Sequence, residues 1–291
     1  MAEITTHIFM AKEVQNKLNC NDSIKYFSVG PDAFFFSRKT RKLGYEMHRK
    51  KTFLFFKNYI NYIKDNNLEN NDFIVCSLYG FLCHYVLDYM VHPYVFYFDH
   101  LNKDMHRKIE MCLTKNVLLN KSIMPNEFKI NKEIKKVYNK ELINLLDEVI
   151  YNTYGYKKYG KKYIKCLKNM KLIYSLFRHD KYGFKKRIYR KIDKLFNKKT
   201  QYVSFYNISD VDMNFKHSKW NHPCVKDEKH TESLIELYND SINILIDMIH
   251  RLNFNMNDKE LKEIIDNKSY ITGKDCDDRF KIQYFSSKID I

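Results

Sequence analysis

Five of the eleven histidines fall between His48 and His106, and two of these five head the same short pattern. In His84-Tyr-Val-Leu-Asp88 and His106-Arg-Lys-Ile-Glu110, a histidine precedes a carboxylate by four residues. Residues i and i+4 share one face of a helix, so each pair can offer a nitrogen and an oxygen to a common ion. His92 lies one further turn beyond Asp88. Zinc accepts this donor set readily, and a catalytic zinc keeps a position open for water. A single helical His-x-x-x-Asp is more often a solvated ion pair or a satisfied core group, with roughly one in ten a metal site. Two such pairs with a histidine between them weigh against that reading. Phe81, Leu82, Tyr85, Val86, Leu87 and Met90 surround His84 and Asp88, so their helix is apolar nearly all round and reads as buried. A buried histidine and carboxylate are costly unless paired or metal-bound.

The elements that must position these groups are helical. Only seven glycines and four prolines punctuate 291 residues, few for a β-rich chain that needs many tight turns. Periodicity and capping predict helices over His7–Leu18, Tyr45–Lys64, a segment capped by Asp72 and stopped near Val91 by Pro93, and Lys103–Leu119. Further helices are expected over Lys132–Tyr151, Tyr156–Arg178, Gly183–Asn197, Glu228–Leu252 and Asp258–Asp266. No internal repeat or flexible linker interrupts them. The expectation is one all-α domain over residues 1–291, with 156–199 as a basic helical excursion.

Charge is concentrated in that excursion. The chain carries a net +16. From Lys157 to Lys199 there are seventeen Lys or Arg against Asp180 and Asp193, which accounts for +15. Such a block suits an anionic partner, lipid or nucleic acid. Tyr159, Tyr163, Leu167 and Met170 alternate with its lysines at helical spacing, as in a helix lying at a membrane interface, or equally in a solvated face that covers the core. The seven cysteines contain no C-x-x-C pair and are odd in number, which suggests reduced thiols in the cytoplasm. The N-terminus lacks signal-peptide order, and the longest apolar stretch, Phe73–Val91, is broken by His84 and Asp88, so no transmembrane segment is expected. Oligomeric state is not readable. His100, His179, His217, His222, His230 and His250 are taken as ordinary.

The run Gly80-Phe-Leu-Cys-His84-Tyr-Val-Leu-Asp88-Tyr-Met-Val-His92-Pro-Tyr94, followed by His106-x-x-x-Glu110, resembles the zinc-dependent phospholipase C family, whose fold is shared with single-strand-specific zinc nucleases. Thr6-His7, Gly30-Pro31-Asp32 and Met47-His48 resemble its upstream ligand positions. Trp220-Asn221-His222-Pro223 and Ser269-Tyr270-Ile271-Thr272-Gly273 resemble weaker signatures near its C-terminus. The resemblance implies an all-α fold with up to three Zn2+ in one cleft. Asp32, His48, His84 and Asp88 would hold one ion, and His92, His106 and Glu110 a second. His7 and the bridging Asp88 would hold a third, closed in the family by the amine and carbonyl of the first residue. Secreted members begin with tryptophan after processing; this chain begins Met1-Ala2-Glu3, so Ala2 is expected to serve after removal of Met1. The implied activity is phosphodiester hydrolysis by zinc-bound hydroxide, with Asp32 orienting or deprotonating the water and a phospholipid as substrate. The alternatives are a single-strand-specific nuclease and a zinc-stabilised protein without turnover.

Overall fold

The computed structural model describes residues 3–18, 20–134, 137–177, 180–196 and 210–286. Twelve α-helices, one 3₁₀ segment and a two-stranded hairpin make up the described residues. At the centre is α5, Asp72–Asp99, crossed by α1 (Ile4–Leu18), α2 (Ser23–Phe27), α6 (Lys103–Asn120) and α11 (Leu234–Arg251). A helix that is apolar on every side must be covered on every side, and α5 is, from Ile74 to Val95. By length and composition α5 qualifies as a membrane span, but 83% of its apolar window is buried inside the protein, which makes it the core helix. Gly80 permits the α2 crossing: a Cβ there would lie 2.6 Å from the Ile24 carbonyl oxygen.

The ends of α5 differ from expectation. Its N-cap is Asn71, whose side chain accepts from the Ile74 N–H, and Asp72 is the first helical residue, where a carboxylate complements the helix dipole. Pro93 does not end the helix, which runs on for six residues to Asp99. A proline inside a helix leaves the carbonyl four residues earlier without its donor; here that carbonyl is Tyr89, and the loop at Gly273 packs against it, close enough that a Cβ would come within 2.8 Å.

Other corrections follow local backbone chemistry. The expected Tyr45–Lys64 helix is two, α3 (Arg41–Met47) and α4 (Thr52–Asp65), because Lys51 turns the chain in the left-handed region at φ 58°. Lys132–Tyr151 likewise divides into a single turn, α7 (Ile130–Glu133), and α8 (Lys140–Tyr154), the latter capped by Asn139. The last long helix begins at Leu234, not Glu228, set by a capping box between Ser233 and Glu236. Ahead of it Trp220–Asn221 and Lys229–His230 pair antiparallel, a hairpin the helical periodicity did not announce. A short α12 (Asp258–Ile264) closes the set.

The basic segment forms α9 (Gly160–Phe177) and α10 (Phe184–Phe196). Tyr159, Tyr163, Leu167 and Met170 are all buried, packed toward the 3₁₀ segment Gly30–Phe36 and α8. Of the two readings of these four, a membrane-lying face and a face that covers the core, the second holds: the protein core takes them, and the α9 lysines are its solvated side. The surface of α10 and the end of α9 is different, and exposes Leu172, Leu176, Phe184, Ile188 and Leu195.

Candidate metal centre

Each of the eight expected ligands is delivered by an element just described. His7 comes from α1, Asp32 from the 3₁₀ segment, and His48 is the C-cap residue of α3. His84, Asp88 and His92 descend one face of α5 at successive four-residue steps, and His106 and Glu110 face them from α6. The structure brings all eight together. His48 Nε2 lies 3.1 Å from Asp32 Oδ1, His84 Nε2 3.2 Å from Asp88 Oδ2, and His7 Nε2 3.3 Å from Asp88 Oδ1. On the α6 side, Glu110 Oε1 lies 3.0 Å from His106 Nε2 and 3.6 Å from His92 Nε2. Three groups close enough to share an ion result: His7, His84 and Asp88; Asp32, His48 and His84; and His92, His106 and Glu110. His84 thus belongs to two groups, and the two oxygens of Asp88 face different ones.

Hydrogen bonds behind the rings decide which nitrogen is presented. Nδ1 of His48 is 2.6 Å from the Gly44 carbonyl, Nδ1 of His84 3.0 Å from that of Ser28, and Nδ1 of His92 2.6 Å from that of Tyr270. A carbonyl only accepts, so each Nδ1 carries the proton and each Nε2 turns a lone pair inward. His106 does the same through a carboxylate, Nδ1 donating to Asp99 Oδ2 at 2.6 Å. Lone pairs of nitrogen and carboxylate oxygen about 3 Å apart repel unless a cation or a proton lies between them.

That is the test of fit. Among the described residues, buried side-chain atoms that make no hydrogen bond concentrate here: both nitrogens of His7, Oδ1 of Asp32, both oxygens of Asp88, and Nε2 of His48, His84 and His92. All are zinc-type donors, aimed at one another. A proton between two of these atoms serves one donor and one acceptor, whereas a divalent cation is coordinated by several such lone pairs at once, which is what converging groups of three donors offer.

The electrostatics agree. Burial pushes the Asp88 carboxyl up, but His92, His84 and His7 outweigh it and hold Asp88 well below the usual carboxylate range. Burial acts likewise on Glu110, which is nonetheless held well below the usual range, with His106 and His92 among the groups that lower it. The carboxylates are thus charged at neutral pH. Burial lowers His92 despite Asp88 and Glu110, keeping its ring neutral, the form that ligates.

Close packing sharpens the geometry. Gly30 sits at φ +45°, and a Cβ there would lie 2.5 Å from His84 Cγ, so only glycine lets the 3₁₀ segment carry Asp32 up to the histidines. The Tyr163 hydroxyl donates to the Gly30 carbonyl at 3.0 Å, tying α9 to the same turn. At the chain's start, Thr6 Oγ1 and Thr114 Oγ1 are 2.7 Å apart, and Glu3 Oε2 lies 3.3 Å from the same Thr114 hydroxyl, which fastens α1 and its His7 to α6. The expected terminal ligand, Ala2, lies with Met1 outside the described residues.

Several supporting groups were not foreseen. Asp99 is the main one; nothing in its spacing from His106 announces it, since the two stand on different helices. The C-terminal signatures do reach the centre, but through backbone. Tyr270 accepts from His92 and donates its own N–H to the His48 carbonyl at 3.0 Å. His222, treated as ordinary, is buried and lies 2.9 Å from the Thr272 carbonyl through Nε2, so it braces the loop that orients His92.

A cleft of about 580 Å³ opens over this centre, with His48, His106 and Glu110 in its lining. His7 lies at the other, enclosed side, fully buried. Ions in the groups of His48 and of His106 would therefore face the cleft, and one beside His7 would be internal.

No curated protein and no solved structure matches the chain. The profile of the family described as zinc dependent phospholipase C does match, over residues 6–162, which is more than half of the sequence and includes all eight residues of the centre. With up to three zinc ions accommodated by this all-α scaffold, the chain belongs to the zinc-dependent phospholipase C family.

Proposed function

We propose that the protein is a phospholipase C-type phosphodiesterase that cleaves a phospholipid to diacylglycerol and a phosphorylated headgroup. The observation that carries this is the convergence of eight donor side chains, seven of them buried, beneath an open cleft in a chain of this family. Asp32, His48, His84 and Asp88 would hold one ion, His92, His106 and Glu110 a second, and His7 with Asp88 a third. Bound zinc supplies water acidified to a pKa of about 7 and a Lewis acid for the phosphoryl oxygen. The chain's residues do the rest. Asp32, grouped with His48 and His84, would orient the attacking water or take up its proton. Asp88 presents one oxygen to each side and fixes the spacing of the groups. With only three protein donors, His92, His106 and Glu110 would leave an ion held there able to take water or substrate.

Lipid is favoured over nucleic acid by the surface of α10 and the end of α9. Leu172, Leu176, Phe184 and Leu195 protrude there, 61%, 50%, 68% and 76% exposed, among lysines and arginines. Aliphatic side chains interleaved with cations suit the headgroup and acyl boundary of an anionic bilayer; a phosphate backbone offers them nothing.

The test pairs metal analysis with two substrates, mixed phosphatidylcholine–phosphatidylglycerol vesicles and single-stranded DNA. Diacylglycerol release that is abolished by chelator and restored by zinc, with DNA left intact, is the expected result. Asp88→Ala should lose bound metal and turnover together. Hydrolysis of the DNA with the lipid untouched, or full turnover by metal-depleted Asp88→Ala, overturns the proposal.

A further inference from the structure

The walls of the cleft carry a charge pattern that the metal centre does not use. Asp99 is engaged by His106 and by the Leu101 N–H, and Glu110 by His106. The remaining charged side chains of the lining are Arg49, Lys103 and Arg107, all cations and all exposed. Among the described residues none of the three has a carboxylate within the 4.0 Å of an ion pair. Arg49 also borders a second hollow, of about 370 Å³, that meets the cleft at Ile271 and is lined by Asp275, Asp278 and Arg279, a mixed-charge wall unlike that of the cleft.

A headgroup bearing an ammonium group would need a carboxylate or a free aromatic cage to receive it. The cleft offers neither. The Arg49 guanidinium already lies 5.6 Å from the centroid of the Tyr45 ring and donates to the Tyr45 carbonyl. Phe96 packs against the rings of His92 and His106, and Phe35 against those of Tyr45 and His48. A choline or ethanolamine nitrogen would thus sit among three unpaired cations, beside a centre that itself binds divalent ions. Like charges at this separation repel, and each exposed pair contributes modestly.

Resting on the phospholipase reading above, we propose that the cleft selects anionic phospholipids whose headgroup carries no ammonium group, phosphatidylglycerol being the simplest, and that Arg49, Lys103 and Arg107 determine this specificity. The three cations attract the net negative lipid and leave room for a neutral or anionic headgroup.

The test must separate the cleft from the basic outer surface, so it uses short-chain dihexanoyl lipids below their micelle concentrations. Zinc-loaded full-length protein is expected to favour the phosphatidylglycerol over the phosphatidylcholine in kcat/KM by on the order of tenfold, the sum of three ordinary exposed charge interactions. The triple variant Arg49→Gln, Lys103→Gln, Arg107→Gln should retain its zinc content and bring the ratio toward one, chiefly through a higher KM for phosphatidylglycerol. The three single variants, each with a partial effect, serve should the triple variant fail to fold. Equal rates on the two lipids, a preference for phosphatidylcholine, or a preference unchanged in all the variants overturns this inference and leaves the phospholipase reading standing. Hydrolysis of neither lipid overturns both.

Discussion

Replacing Asp99 by asparagine tests the metal centre through a residue that binds no ion itself. Asp99 uses both oxygens: Oδ2 accepts from His106 Nδ1 at 2.6 Å, and Oδ1 accepts from the Leu101 N–H at 2.6 Å. An amide can satisfy only one of these donors. If its oxygen faces His106, its NH2 group opposes the Leu101 N–H. If its NH2 group faces His106, the ring must accept at Nδ1, and the ring proton moves to Nε2, where it blocks the lone pair offered beside Glu110. With an ion bound, either arrangement leaves one polar group mismatched, which costs about 1–3 kcal/mol. Loss of a carboxylate behind a ligating histidine typically weakens metal affinity about 10–100-fold, or about 1.4–2.7 kcal/mol, so the two routes agree.

The assay is competition for zinc between the protein and a fluorescent chelator, together with metal content per chain. Asp99→Asn should weaken one site by that factor and leave the sites built on Asp32, His48, His84 and Asp88 at wild-type affinity. Overall stability of the metal-free protein should change little, because the backbone cap to Leu101 is kept in one of the two arrangements. Wild-type affinity at every site, within a factor of two, would refute the reasoning, since His106 would then not depend on Asp99 for its tautomer. Equal weakening of all sites would refute it as well, by showing a general loosening of the fold.

Three further outcomes are expected. Gly30→Ala should destabilise the protein by roughly 1–3 kcal/mol, because its Cβ collides with His84 and its φ is left-handed, and denaturant midpoint with zinc content measures both effects. Tyr163→Phe removes the hydroxyl donated to the Gly30 carbonyl, so a loss of about 1 kcal/mol with zinc content retained is expected from the same measurements. Burial, helped by Lys274, pushes the His222 imidazole down to about 4. Because the folded value lies below the free one, the unfolded chain gains a proton first as the pH falls. The stability from His222 is therefore present above pH 6.5 and lost progressively between 6.5 and about 4. In metal-free protein, His222→Gln should flatten the fall in urea midpoint across that window, and an unchanged slope would remove His222 as its source.

What could be read before folding depended on whether a residue's role is local. His84, Asp88 and His92 declare themselves because four-residue steps on an apolar helix leave little else for them to do, and the structure puts them on one face. Gly30 and Asp32 were visible only through family resemblance; the reason for the glycine is a contact with His84, more than fifty residues away. Asp99 was out of reach because its position depends on α5 passing through Pro93, and that depends on the loop of Gly273 covering the freed Tyr89 carbonyl. The carbonyls of Gly44, Ser28 and Tyr270 have no side-chain signature at all.

The basic segment shows the limit most clearly. Both α9 and α10 are lysine-rich with apolar residues at helical spacing, and periodicity alone assigns them one fate. Yet Tyr163 and Met170 are fully buried, while Ile188 and Leu195 are 41% and 76% exposed. Periodicity says that a helix has an apolar face; which surface covers that face is decided by the rest of the chain. For α9 the cover is the 3₁₀ segment that carries Asp32, so its aromatic face supports the metal centre. The apolar side chains of α10 keep their exposure among cations, and this is the physical reason why the proposed lipid contact is placed on α10 and not on Tyr159, Tyr163, Leu167 and Met170.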